Sequence, residues 1–121
     1  MLNLDTHILI FALAGQLTAK EEKLLKKNEW CISGIVLWEI SKLFQLGRIN
    51  LNLNDPVVSS QLAKIETLPI DVRVCQAILT LDFKSDPADE IIAATSIANN
   101  IPLVTRDQRI RKSKIVPIAK T

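Results

Sequence analysis

The chain opens on a short apolar segment, Met1–Leu4, that ends on an acid, Asp5, and a second apolar run, Ile8–Ala14, follows. This order predicts a strand running into Asp5 and a helix after it, because Asp is a strong N-cap whose carboxylate satisfies the free N–H groups of a first turn. Thr18-Ala-Lys-Glu21 is a capping-box sequence and predicts a second helix to about Asn28, charged on its outer face. Trp30–Ser33 reads as a short buried strand, with Ser33 capping a helix to Leu46 and Gly47 supplying the left-handed stop. Ile35, Val36, Leu37, Ile40, Leu43 and Phe44 predict that most of this helix's circumference is buried. Asp55-Pro56 places a cap before a proline at the first helical position and opens a helix to about Glu66. Leu68–Ile70 reads as a strand or extended turn, Asp71 caps a helix through Leu81, and Asp86-Pro87 starts a helix that ends near Asn99-Asn100. Ile101–Thr105 and Ile115–Ala119 complete the predicted strands.

Short strands separated by helices imply a parallel sheet covered by helices on both faces, an α/β domain. Neither an internal repeat nor a linker divides residues 1–121, so a single domain is expected. With 48% hydrophobic and 23% charged residues the chain can bury a core, which excludes disorder and low complexity. A net charge of +2 does not mark a nucleic-acid binder in bulk. The charge is uneven, however: six basic residues and one acid between Arg106 and Thr121 give that end +5 and leave −3 on the rest. Such a basic end can touch phosphates or simply be solvated. Cys31 and Cys75 have no near-spaced partner, so the expectation is two buried thiols in a reducing compartment, with neither redox motif nor zinc ribbon. No apolar run reaches the roughly 18–20 residues needed to span a bilayer. Ile8–Ala14 is preceded by Asp5 and by no Lys or Arg, the wrong sign for a signal peptide, and a cytoplasmic protein is expected.

Four acids are candidates for chemistry: Asp5, Glu39, Asp89 and Asp107. Three follow predicted strands or open helices, on the edge of an α/β sheet where ligands bind. Taken singly, each has a plainer explanation. Asp5 can cap a helix, Asp89 can complement the dipole of its first turn, and Asp107 can cap the turn Gln108–Lys112. Glu39 interrupts an apolar stretch on a helix expected to be buried, where an unpaired carboxylate costs several kcal/mol. Its competing reading is a surface ion pair with Lys42, three residues on. The combination says more than its members. Converging carboxylates repel one another and are tolerated mainly around a hard cation. An oxygen-only donor set favours Mg²⁺ or Mn²⁺ over zinc, and such a site suits phosphodiester hydrolysis. No Ser/His/Asp arrangement and no GxxxxGK phosphate loop competes.

Leu4-Asp-Thr-His-Ile-Leu, Leu37-Trp-Glu-Ile, Asp86-Pro-Ala-Asp-Glu-Ile-Ile-Ala-Ala-Thr95 and Leu103-Val-Thr-Arg-Asp107 resemble, in that order, the motifs of PIN domains, and are most similar to VapC-type toxins of type II toxin–antitoxin modules. The likeness runs from Met1 to about Ile118. It implies a three-layer α/β/α fold with a central, mostly parallel sheet, and a Mg²⁺- or Mn²⁺-dependent endoribonuclease. Asp5, Glu39, Asp89 and Asp107 match the family's acidic cluster, the fourth position being the more variable, and Thr6 and Thr105 match hydroxyls that orient the acids or water. Ser33 is read as a helix cap, and His7, a frequent residue of the first motif, is given no catalytic role. Also implied are an RNA substrate, a homodimer, and a VapB-type antitoxin whose C-terminal segment occupies the acidic site. The exposed faces of the two early helices are the expected antitoxin contact. Two departures stand beside the expected cleft: Glu90 where these toxins often carry Arg, and Phe83-Lys84-Ser85 where His-Arg is common. Glu90 can equally point outward as a first-turn acid.

Two rivals belong to other classes. A catalytically silent PIN-like module would bind RNA or protein without cutting, against which the intact set of acids argues. A receiver-type phosphoacceptor needs an acidic pair near the first strand and a late Lys ending a strand, and Asp5 has no acidic neighbour.

Overall fold

The computed structural model describes residues 1–120. Its elements are β1 (Leu2–Leu4), α1 (Thr6–Ala14), α2 (Ala19–Lys26), β2 (Trp30–Ser33), α3 (Gly34–Gln45), α4 (Pro56–Leu62), β3 (Glu66–Leu68), α5 (Val72–Ile78), α6 (Pro87–Asn99), β4 (Leu103–Val104) and α7 (Gln108–Arg111). The four strands form one sheet in the order β3-β2-β1-β4, every pair parallel. This is the α/β/α arrangement expected, with the sheet wholly parallel among the described residues.

Caps begin the helices where the sequence places them. The side chains of Asp5, Thr18, Ser33, Asp55, Asp71 and Asp107 each accept a backbone N–H of the helix that follows. Asp86 is the exception, making no side-chain cap bond. Gly15 closes α1 at φ 70° and Gly47 follows α3 at φ 72°, conformations that cost a residue without Cβ nothing.

The strands depart from expectation. The third comprises Glu66–Leu68 rather than Leu68–Ile70, because residues 66–68 pair with Cys31–Ser33 and Pro69 has no N–H with which to continue. That shift ends α4 at Leu62 rather than Glu66, and α5 stops at Ile78 instead of Leu81. Ile101–Thr105 contracts to Leu103–Val104. Ile115–Ala119 is not a strand but a single bridge to Leu103 around Pro117, whose carbonyl accepts Leu103 N–H at 2.8 Å.

The core lies on the sheet. Leu4, Ile8, Leu9, Ile32, Ile40, Ile92 and Leu103 are at most 1% exposed and belong to one apolar cluster, while Val74, Ala77 and Ala94 join α5 to α6 in a second. Two expectations fail here. The third helix is buried on one side only: Val36 and Ile40 are inside, whereas Trp38 is 55% exposed. Cys31 is buried, which pushes its thiol up to about 11, but Cys75 is exposed beside buried Val74, since adjacent helix positions differ by about 100°. No described helix is long and apolar enough to cross a membrane.

Candidate active site

Strand order places the site. From β1 the chain moves to β2 and β3 on one side, then returns to place β4 on the other, so the order reverses between β1 and β4. A crevice opens at such a point, outside the carboxyl ends of the strands. Asp5 is the residue after β1, and Thr105, Arg106 and Asp107 follow β4. The parallel register pairs Leu4 with Val104, and one step further Thr105 Oγ1 donates to Asp5 Oδ2 at 2.6 Å. Asp5 Oδ1 accepts Thr6 N–H at 2.8 Å, so this carboxylate both caps α1 and faces the crevice.

Glu39 reaches the same place from α3, where Thr6 Oγ1 donates to Glu39 Oε1. The alternative ion pair does not form: Lys42 Nζ donates instead to Gln45 at 3.1 Å. Asp89 stands in the first turn of α6 and accepts Ser85 Oγ at 2.9 Å. Asp107 accepts the N–H groups of Arg109 and Ile110 and so caps α7. Each of Asp5, Glu39 and Asp89 therefore holds one hydroxyl donor.

Electrostatics tie the acids together. Burial raises Asp5, Glu39 and Asp89 above the ordinary carboxylate range, the hydroxyl bonds oppose that rise, and neighbouring carboxylates add to it. Glu39 feels Asp89 and Asp5; Asp89 feels Asp5, Asp107 and Asp86; Asp5 feels Asp107. His7 is close enough to lower both Asp5 and Glu39, and is otherwise exposed, with its ring tilted against Phe11. All four sequence candidates thus share one electrostatic neighbourhood.

Carboxylates that destabilise one another, with hydroxyl partners and no compensating cation side chain bonded to them, suit a hard divalent ion in donor chemistry. No three acidic, His or Cys side chains among the described residues gather tightly enough to enclose an ion. Mg²⁺ does not demand such a cage, because it keeps several waters and takes one or two carboxylates directly. The residues present fit the ion on that basis.

Two features of the site escape sequence reasoning. Ser85 is one; its N–H also donates to Glu90 Oε2 at 3.0 Å, so Glu90 folds back on the chain before α6 instead of pointing outward. The other is an ion pair between Glu21 of α2 and Arg106, at 2.7 Å, with Glu21 only 6% exposed. Arg106 holds the Glu21 carboxyl down at about 2. Glu21 had signalled only a capping box, which it does form with Thr18. The basic end is likewise partly spent inside the molecule: Arg106 binds Glu21, Arg109 donates to Lys84 carbonyl at 2.8 Å, and Arg111 to Thr105 carbonyl at 3.0 Å.

Comparison with known proteins agrees with this fold. The family model described as PIN domain matches residues 3–115. A relative named Ribonuclease VapC22, from Mycobacterium tuberculosis, is 35% identical over 92 residues, covering 72% of this chain and 69% of that protein. Among solved structures, the fold is similar to a chain of VapBC2 from Rickettsia felis bound to a promoter DNA fragment (TM-score 0.75, 21% identity, 98% of each chain covered). It is equally similar to a chain of a toxin–antitoxin complex from Klebsiella pneumoniae (TM-score 0.75, 18% identity, 99% and 97% covered). With the motifs in register along nearly the whole chain, this protein belongs to the PIN-domain family and, within it, to the VapC type.

Proposed function

We propose that this protein is a Mg²⁺- or Mn²⁺-dependent endoribonuclease, the toxin of a type II toxin–antitoxin module acting in the cytoplasm. The observation that supports the reading is the shared electrostatic neighbourhood of Asp5, Glu39, Asp89 and Asp107 by the β1/β4 crevice, with Asp5, Glu39 and Asp89 raised by burial and by neighbouring carboxylates. Of these four carboxylates, one or two would bind the ion directly and the others would reach it through the waters it keeps. When bound, it supplies Lewis-acid stabilisation of the charge that develops on a phosphodiester during hydrolysis.

The chain's own residues do the rest. Thr105 fixes Asp5, Thr6 fixes Glu39 and Ser85 fixes Asp89, so each carboxylate presents its remaining lone pairs in a set direction. Asp107 is oriented by the two N–H groups it caps. Lys84, next to Ser85 in the chain, and Lys112 and Lys114, after α7, are exposed and would meet the phosphate backbone of RNA, a contact that weakens as salt is raised.

A VapB-type antitoxin is the proposed partner, supported by the nature of the similar solved structures, which are toxin–antitoxin complexes. A groove of about 660 Å³, apart from the carboxylates and lined in part by Ala12, Leu13, Leu25, Trp30 and Ile65, offers its apolar side chains a seat on the early helices. A homodimer completes the reading.

The test is incubation of pure protein with total RNA. Cleavage with Mn²⁺, its loss with EDTA, and its loss in a folded Asp5→Asn variant are expected. Full activity in Asp5→Asn with EDTA present would remove the mechanism. An RNA gel shift without shortening would favour a silent binding module.

A further inference from the structure

The edge of the crevice formed by Thr105, Arg106 and Asp107 is too short to hold itself. It lies between a strand of two residues and a helix of four, neither of which is stable alone. Yet this segment carries one candidate ligand, Asp107, and the hydroxyl that fixes another. Thr105 Oγ1 donates to Asp5 at 2.6 Å and accepts Asp107 N–H at 3.1 Å.

Part of its support is local, from Arg111 to the Thr105 carbonyl. A further tie comes from 85 residues away. Arg106 Nε donates to Glu21 Oε2 at 2.8 Å and Nη2 to Oε1 at 2.7 Å, while its guanidinium lies 4.2 Å from the centre of the Phe11 ring. Glu21 is itself held from behind, where Thr18 N–H donates to Oε1 at 2.9 Å. A forked guanidinium–carboxylate pair fixes both distance and plane, which one hydrogen bond cannot do. Stacking on Phe11 removes the remaining freedom of the arginine.

We propose that Glu21 is a positioning residue of the carboxylate crevice, acting through Arg106 to set Thr105–Asp107 against Asp5. The inference rests on the nuclease reading for its catalytic consequence, though not for its structural one. It also takes Arg106 out of the set of side chains available to RNA phosphates.

The experiment uses full-length protein carrying Glu21→Gln, Arg106→Gln or both, studied well below the melting temperature. Each single change is expected to lower kcat about tenfold with KM little altered, the usual scale for a group that orients a metal ligand. The double variant should be no worse than either single one, because both remove the same interaction. Two readouts need no activity: hydrogen exchange of a peptide spanning residues 105–107 should quicken in Glu21→Gln, and calorimetric Mn²⁺ affinity should weaken about tenfold.

Unchanged kcat with faster exchange in α2 alone would overturn the proposal, leaving the pair as a staple of that helix. Additive losses in the double variant would overturn it as well. Should Glu21→Gln fail to fold, Arg106→Lys, which keeps the charge but not the fork, is read the same way. Wild-type protein inert towards RNA with Mn²⁺ would remove the nuclease reading, and the exchange measurement would still decide the positioning role.

Discussion

Three hydroxyls and the three carboxylates they bond make opposite contributions to the stability of this protein. Burial and mutual repulsion raise Asp5, Glu39 and Asp89 above their ordinary values of 3.8, 4.5 and 3.8, so the folded state holds their protons more tightly than the unfolded chain does. Their linkage therefore favours the fold at acid pH and is lost as pH rises through the folded values. Metal-free protein should accordingly lose melting temperature as pH climbs from about 4 towards neutrality. Millimolar Mn²⁺ should restore it, as should Asp5→Asn without metal; thermal melts with and without Mn²⁺ check both. Glu21 works in the other direction. With its carboxyl held down at about 2 by Arg106, it contributes stability above its ordinary 4.5, lost as pH falls towards 2. A stability maximum on the mildly acidic side is the expected sum, and a maximum well above neutrality in metal-free protein would contradict it.

Caps decide where the helices start, and they are not equivalent. Thr18 accepts Glu21 N–H while Glu21 accepts Thr18 N–H, a closed box at the start of α2. Thr18→Ala should cost about 1 kcal/mol in chemical denaturation. Asp86 occupies the same kind of position before α6 but makes no cap bond, and its charge raises Asp89. Asp86→Ala should change stability by less than about 0.5 kcal/mol, the range of a surface substitution without a special contact. A loss as large as that of Thr18→Ala would show that Asp86 does cap in solution. The six bonded caps were legible because each is a local bond between a side chain and a backbone only one to three residues away. The strands were not, since their ends are set by partners distant in sequence. Glu66–Leu68 is a strand because Cys31–Ser33 lies beside it, and Ile115–Ala119 is reduced to one bridge by the company of Leu103 and the missing N–H of Pro117.

Across the molecule, the reversal of strand order at β1/β4 turns separated motifs into one crevice, and the core keeps that crevice in register. Ile92 is fully buried on α6, on the helix that carries Asp89, beneath the β1 strand that delivers Asp5. Asn3 on β1 donates to the Ile92 carbonyl at 3.2 Å and to Ser96 Oγ at 2.9 Å, linking the two elements inside the core. Ile92→Ala should cost about 2–5 kcal/mol, measured by urea denaturation. RNA cleavage by the fraction that remains folded should fall as well, because α6 settles differently over β1; unchanged specific activity would show the crevice to be independent of this packing.

Much of the site could be read from one dimension. Asp5, Asp89 and Asp107 follow strands or open helices, which places them at one edge of an α/β sheet, Glu39 joins them only through the motifs' resemblance to the family, and the alternation of short apolar runs with capped helices fixes that class of fold. Those are local properties of the chain. The partners of these acids are not local. Ser85 on Asp89, the fold-back of Glu90, the inward turn of Arg106 to Glu21 and the outward turn of Cys75 depend on which surfaces meet once helices pack on the sheet. A charged residue near a terminus looks the same in sequence whether it faces water or a buried carboxylate, and only the desolvation and geometry of the packed molecule separate the two.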